Sequence, residues 1–389
     1  MDLANRIAHI TGGGADGWAI YYRTRELEQA GEAVTNLTIG EHDIRTDPAI
    51  LEAMHASALA GNTGYAFGPG NRDLREAIAA RTQARTGVPT TWRNVVVTPG
   101  GQAALFATHM VLLDAGDRGL FCDPYYATYP GTIRATGALA VPVPTRPETA
   151  FQPDPAAIAE RAAGAKTLLI NTPNNPTGTV YSRATLEGIG QAVEDHDLWL
   201  ISDEVYDSQV WAGSHLSPRA LPGLAARTIV VGSMSKSHAM TGSRLGWVIA
   251  AEEVADAVTT LATNTTYGVP AFVQDAALFA LRQGDGFEAR IAEPFRRRRD
   301  IALRVLAGAN RLRPIPAQGA IYLMLDIRAT GLSGEAFALS LLEEERIAVM
   351  PGESFGEAAA GHIRIAMTVE DGAFEAALAR LVAFADRAA

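Results

Sequence analysis

Lysine is nearly missing from this chain of 389 residues: Lys166 and Lys236 stand against thirty-one arginines. Positive charge as such is therefore supplied by guanidinium, which stays protonated at any accessible pH, whereas a primary amine can lose its proton and attack an aldehyde. A lysine kept under that bias suggests imine chemistry. Cysteine is almost absent too. A single Cys122 excludes an intramolecular disulfide, and the eight histidines form no pair or Cys/His cluster of metal-ligand spacing, so no protein metal site is expected. The net charge of −10 argues against general affinity for nucleic acid or anionic membranes. No apolar run approaches the ~20 residues that span a bilayer, and MDLANRIAHITGGG lacks the basic and apolar regions of a signal peptide. A cytoplasmic location is the expectation.

What is present is an ordinary globular composition, 48% hydrophobic and 20% charged, long enough for one large domain and a smaller one. Residues 1–44 carry a glycine cluster at Gly12–Gly14, read as a flexible arm in preference to a phosphate cradle, then an amphipathic stretch holding Trp18 and Tyr22 and a strand at Thr35–Ile39. A helix from Asp47 to Ala60, capped by Asp47 with Pro48 in its first turn, and a second over Asn71–Arg85 flank the glycine-rich loop Gly61–Gly70. Seven strand-like runs follow, at Val95–Thr98, Gly119–Cys122, Ala140–Val143, Thr167–Asn171, Leu198–Ser202, Thr228–Gly232 and Leu245–Ala250, with helical segments between most of them. That alternation predicts an α/β fold whose mostly parallel seven-stranded sheet lies between helices, with ligands bound at the carboxyl ends of the strands. After Asp285 the pattern changes to a long helix, Phe287–Leu306, then strands near Ala320–Asp326 and Ile363–Ala366 and helices at Gly334–Glu344 and Asp371–Ala388. Residues 45–284 are thus expected to form the large domain, and residues 1–44 with 285–389 a smaller α+β domain built from both chain ends. The basic run Arg296–Arg299 is most simply a solvated helix face.

Polar motifs fall at strand ends. TPGGQAAL leaves the backbone N–H groups of Gly101 and Gln102 at a helix N-terminus, which suits a phosphate. NTPNNPTG holds Asn175 between prolines, and SDEVY offers the carboxylate of Asp203 with the phenol of Tyr206 three residues on. DPYYATYP supplies aromatic rings, and VVGSMSKSHAMTGSRLGW frames Lys236 with Ser233, Ser235 and Arg244. An amine, a phosphate seat, an anion for a ring nitrogen, donors for a phenolate and a ring to stack match the parts of pyridoxal 5'-phosphate.

The combined motifs resemble those of fold-type I pyridoxal-phosphate enzymes, specifically class I/II aminotransferases of the bacterial aspartate-aminotransferase subgroup. They run in family order: Y-x4-G-x3-LR at Tyr65–Arg75, GGQAAL at Gly100–Leu105, P-x-Y-x-x-Y at Pro124–Tyr129, NNPTG at Asn174–Gly178, SDEVY at Ser202–Tyr206, S-x-SK-x5-G-x-R-x-GW at Ser233–Trp247, and PG-x-x-FG then RIA at Pro351–Ala366. The resemblance implies that Lys236 forms the imine and then serves as base, that Asp203 pairs with the ring nitrogen, and that Asn175 and Tyr206 donate to the phenolate. It further implies that Tyr126 stacks on the ring, that Gly101, Gln102, Ser233, Ser235 and Arg244 hold the phosphate, and that Arg364 grips the substrate carboxylate while Gly40 lets the N-terminal segment close over it. The tyrosine matching Tyr65 reaches the phosphate of a neighbouring subunit, which implies a homodimer with shared sites. The implied reaction is a ping-pong transfer of an amino group from an α-amino acid to a 2-oxo acid. A carbon–sulfur β-lyase or decarboxylase on the same scaffold, or a non-catalytic sensor domain, are the alternatives. Two departures bear on specificity: Gln102 replaces a lysine that helps bind a distal carboxylate in some relatives, and His42 replaces a proline after Gly40. The serine-lysine frame and the Trp18/Tyr22 arm also resemble a bacterial arginine:pyruvate aminotransferase.

Overall fold

The computed structural model describes residues 3–13 and 18–388, so Gly14 of the glycine cluster lies outside the described residues. Strand β1 (Thr35–Asn36) opens the chain's sheet structure, and seven further strands build the main sheet: β2 (Val95–Thr98), β3 (Arg118–Asp123), β4 (Leu139–Pro144), β5 (Ala165–Asn171), β6 (Trp199–Asp203), β7 (Thr228–Ser233) and β8 (Gly246–Ile249). Their order is β2-β8-β7-β6-β5-β3-β4, and only β8 runs antiparallel to its neighbours β2 and β7. The central strands are buried on both faces, as a helix-covered sheet requires, with every residue of β2, β7 and β8 inside, whereas the edge strand β4 is largely exposed. Helices Gly101–Leu112 and Glu252–Asn264 close one face, packing on Val96, Val231 and Val248. Arg183–Asp195 contributes Leu186, Ile189 and Val193 to a core with Leu168, Ile170 and Leu200 on the other.

The remaining strands are β9 (Arg313–Pro314), β10 (Tyr322–Asp326), β11 (Ile347–Ala348), β12 (Met350–Pro351) and β13 (His362–Ala366). They form an antiparallel sheet of order β12-β13-β10-β9, and β1 pairs in parallel with β11. Leu323, Ile365, Phe337, Phe374 and Leu378 share one core with Ile20, Leu27 and Leu37, so both chain ends build the smaller body. Strand β1 stops after two residues, short of the expected Ile39. The Asn36 carboxamide oxygen accepts from both the amide (3.1 Å) and the hydroxyl (2.6 Å) of Thr38, an Asx turn that takes the chain out of the ladder. The turn frees the carbonyls of Thr38 and Gly40 for other partners.

The basic run is a correction. Arg296 and Arg297 are half exposed, but the Arg298 side chain is only 4% exposed. Its guanidinium donates to Asp43 at 2.9 and 2.6 Å, to Asp371 at 2.9 Å and to the Met367 carbonyl at 3.0 Å. A charge run reads as solvent-facing only while its partners, distant in sequence, are unseen.

Candidate active site

Beyond the carboxyl ends of the parallel strands lies a cavity of about 1200 Å³. Its wall brings together Gly40, Gly101, Gln102, Tyr126, Asn175, Asp203, Tyr206, Ser233, Ser235, Lys236, Arg244 and Arg364. Twelve of the thirteen residues singled out in the sequence therefore converge. Tyr65 is the exception: it is 93% exposed, outside the cavity, with its ring 5.1 Å from that of Tyr267.

Lys236 sits in the single helical turn Met234–Ser237 that follows β7, capped by the Ser233 hydroxyl, which accepts from the Ser235 amide at 3.1 Å. Its Nζ donates to the Gly40 carbonyl, and burial pushes its pKa down, helped by Arg364 and Arg244 against the opposing pull of Tyr322 and Glu41. An amine in that environment sheds its proton more readily than one in water.

At the end of β6, Asp203 is 4% exposed and accepts from the Tyr129 hydroxyl at 2.6 Å and the Val205 amide at 3.2 Å. Burial nevertheless pushes its carboxyl up to about 6, so these donors offset only part of the desolvation. Tyr126 lies nearly perpendicular to Tyr129, ring centroids 5.7 Å apart.

The helix Gly101–Leu112 begins on this cavity with no side chain capping it, leaving its first amides available to an anion. Gly100, at φ 85°, permits the Arg244 guanidinium to lie against it, since a Cβ there would fall 2.4 Å from Arg244 Nη2. Arg244 takes the left-handed conformation (φ 49°) and spends one nitrogen on the Thr241 carbonyl at 2.8 Å, so its other donors stay available beside the helix start. Gln102 accepts from the Thr128 hydroxyl at 2.9 Å.

Across the cavity, Arg364 on β13 donates to Asn175 Oδ1 at 2.9 Å and to the Thr38 carbonyl, while its buried Nε has no partner. A buried, unsatisfied guanidinium nitrogen flanked by made bonds is a seat for a carboxylate. Because the Asn175 oxygen is committed to Arg364, its NH₂ is the group it can offer a ligand oxygen. Gly40 is obligatory here: a Cβ would come within 1.8 Å of the Tyr322 hydroxyl.

Two tyrosines of the site carry no assignment from the sequence. Tyr129 closes the quoted P-x-Y-x-x-Y motif, yet nothing in the motif says that it serves Asp203. Tyr322 has no motif at all, although its hydroxyl accepts from Tyr206 at 3.1 Å and its ring lies 4.4 Å from the Arg364 guanidinium. Trp18 lines the cavity, as do Ile7 and Ile10 of the N-terminal segment, whereas His42 does not. His42 packs edge-on against Phe295 at 5.1 Å with both ring nitrogens buried and unpartnered, and burial beside Lys236 pushes it down to about 3.

These residues fit pyridoxal phosphate on observations of the chain itself: an accessible amine, an uncapped helix start beside a guanidinium, a buried carboxylate and an orphaned arginine nitrogen. Among the described residues no helix is long and apolar enough to cross a membrane.

Residues 32–381 match the family model for aminotransferase class I and II. The chain is 42% identical over 369 residues to the arginine–pyruvate transaminase of Pseudomonas aeruginosa, covering 95% of this chain and 93% of the relative. It is 34% identical to the aspartate/prephenate aminotransferase of Thermus thermophilus, covering 95% and 96%. Among solved structures, a double mutant of Thermus thermophilus aspartate aminotransferase superposes with a TM-score of 0.92 at 33% identity, covering 99% of this chain and all of that one.

Proposed function

The chain belongs to the class I and II aminotransferases, pyridoxal-phosphate enzymes that move an amino group between an amino acid and a 2-oxo acid, and from that premise we propose how its residues divide the work. The observation that carries the proposal is the meeting of Lys236, Asp203 and Arg364 on one cavity wall. When bound, the cofactor supplies an electron sink conjugated to the substrate Cα. The chain's own groups do the rest.

Lys236 would hold the cofactor through its amine and, once substrate is bound, carry the proton from Cα, a role suited to an amine whose pKa burial lowers. Asp203, steadied by Tyr129, receives the ring N–H. Asn175 would donate to the ring oxygen, as would Tyr206 once its hydroxyl turns from Tyr322, and Tyr126 would cover a ring face. Gly101, Gln102, Ser233, Ser235 and Arg244 hold the phosphate. Arg364 takes the substrate carboxylate with its free Nε and a neighbouring nitrogen, and Gly40 lets the segment after β1 approach it closely.

We assign Tyr65 to the phosphate of a second subunit. Its 93% exposure, next to exposed Phe67, Leu59 and Tyr267, supports a homodimer whose faces cover these rings. We propose boundaries at residues 45–284 for the large body and 1–44 with 285–389 for the small one, supported by the core that Ile20, Leu27 and Leu37 share with Phe337 and Phe374, and we propose a cytoplasmic location.

For substrates, we propose a long basic amino acid as donor and pyruvate as acceptor. The support is the 42% identity to the arginine–pyruvate transaminase, together with the neutral Gln102 at the cavity position where some relatives carry a lysine for a distal carboxylate. A panel of amino donors against pyruvate and 2-oxoglutarate tests this. Arginine with pyruvate is expected to give the highest kcat/KM, and a preference for aspartate with 2-oxoglutarate would overturn the assignment.

A further inference from the structure

Asp203 has a charged neighbour that the reading above does not use. Successive residues at a strand end face opposite sides, so Asp203 lines the large cavity while Glu204 lines a second one of about 220 Å³ behind the sheet. The expectation for an Asp-Glu pair after a strand is a surface carboxylate, yet the Glu204 side chain is only 7% exposed. One of its oxygens accepts from His215 Nε2 at 2.9 Å and the other from the Ser217 hydroxyl at 2.7 Å.

The other charges of this second cavity already balance among themselves. Arg81 and Arg85 from the helix Arg72–Thr86 bind Asp207 and Glu288, the latter from the helix Asp285–Leu306, at 2.7–3.0 Å. Two guanidiniums and two carboxylates leave no net charge, and Asp285, which also meets Arg85, is 90% exposed. Arg219 is buried near Glu204 but donates to the Ala225 carbonyl at 2.8 Å. The cation in direct contact with Glu204 is therefore the imidazole of His215. Its Nδ1 is buried without a partner, so the ring does not bridge two protein groups.

We propose that His215 is a positioning residue for the cofactor-binding carboxylate: through Glu204 it supplies the positive charge that leaves Asp203 as the sole uncompensated carboxylate at the end of β6. The inference rests on the assignment of Asp203 to the cofactor ring. The electrostatics agree in sign. Glu204 raises the carboxyl of Asp203 by charge, and His215 is itself held above the ordinary imidazole range because Glu204 and Asp207 outweigh its burial and the repulsion of Arg85. With a raised pKa, the imidazolium persists to higher pH than that of a free imidazole and is lost as pH rises through the raised value. Above it, Glu204 loses the one cation in direct contact with it, keeping the Ser217 hydroxyl and the more distant charge of Arg219, and bears more strongly on Asp203.

The test uses the holoenzyme and three variants, His215→Gln, Glu204→Gln and the double variant, with cofactor dissociation followed by visible absorbance across pH. Glutamine at 215 keeps a donor to Glu204 but carries no charge. His215→Gln is expected to weaken cofactor binding about tenfold at pH well below 6, where a one-unit rise in the Asp203 value cuts its ionised fraction tenfold, and only about twofold at neutral pH. Glu204→Gln is expected to bind at least as tightly as wild type, and adding it to His215→Gln should restore binding to within about twofold, a coupling that a merely structural bond would not give. A double variant as weak as His215→Gln, or a Glu204→Gln variant equally weak, overturns the proposal. Asp203→Asn separates the two levels: if it keeps wild-type affinity, the Asp203 assignment itself fails, whereas a weak Asp203→Asn beside an unaffected His215→Gln removes only the role of His215. Circular dichroism of each variant establishes that the comparison is made between folded proteins.

Discussion

The two lysines of the chain stand at opposite ends of one sheet. Lys166 begins β5, half exposed, with its amine 2.8 Å from Asp117, and that carboxylate holds its pKa up. Lys236 follows the end of β7, faces a backbone carbonyl in place of a carboxylate, and is held down by burial. The same contrast separates other charges. Away from the cavity, arginines such as Arg81 and Arg298 are matched by carboxylates, whereas Arg364 keeps a buried nitrogen without a partner. Arg118 and Arg219, outside the cavity, also keep a buried Nε without a partner, but the unsatisfied nitrogen of Arg364 lies where a ligand would satisfy it.

Removing the unsatisfied charges should therefore cost chemistry, and removing the satisfied ones should not. The largest effect is expected for Lys236→Ala, with a loss of at least about 10⁴-fold in kcat because both the covalent anchor and the proton carrier go. Borohydride reduction of the wild type should label Lys236; label on Lys166 would collapse the contrast. Arg364→Lys keeps the charge but not the fork, and kcat/KM should fall about 100-fold, mostly through KM. An unchanged KM would show that the orphaned nitrogen does not meet the substrate.

A smaller shift is expected for Tyr129→Phe. The Tyr129 hydroxyl lowers an Asp203 carboxyl that burial has already pushed up to about 6, so its loss raises that value further. Asp203 is then protonated at higher pH, and the acid limb of cofactor binding should move toward neutrality by about one unit, equivalent to one hydrogen bond of ~1.4 kcal/mol. A limb that stays in place or moves to lower pH refutes that account. Lys166→Gln closes the series, with kcat/KM within about twofold of wild type, as for most surface substitutions away from a site; a larger loss would mean that the two ends of the sheet are not independent.

The sheet and most of the cavity wall are legible in the sequence because they depend on local signals. Each strand of the main sheet is a short, mostly apolar run, and each polar motif follows its strand closely, so strand ends locate Asp203, Asn175 and Lys236 without any knowledge of the tertiary fold. What depends on meetings across the chain is not legible. Tyr322 reaches Tyr206 from a different sheet, and Arg298 finds Asp43 across 255 residues. Its charge run looks the same in sequence whether or not those partners exist. Glu204 reads as a surface acid for the same reason: His215 and Ser217 come from the loop beyond the strand, and nothing local announces that the loop folds back over it.

The short pairing of β1 with β11 has a consequence for how the protein is made. Thr38 meets Arg364 across 326 residues, whereas the strands of the main sheet find their neighbours within the middle of the chain. During synthesis the main sheet and Lys236 emerge as a unit able to fold early, while the stretch from Thr35 to Gly40 waits without β11 or β13. The lysine is thus made before the arginine that works with it, and the late strands β11 and β13 draw the first one in, β11 by pairing with it and β13 through Leu37 and Thr38 just beyond it.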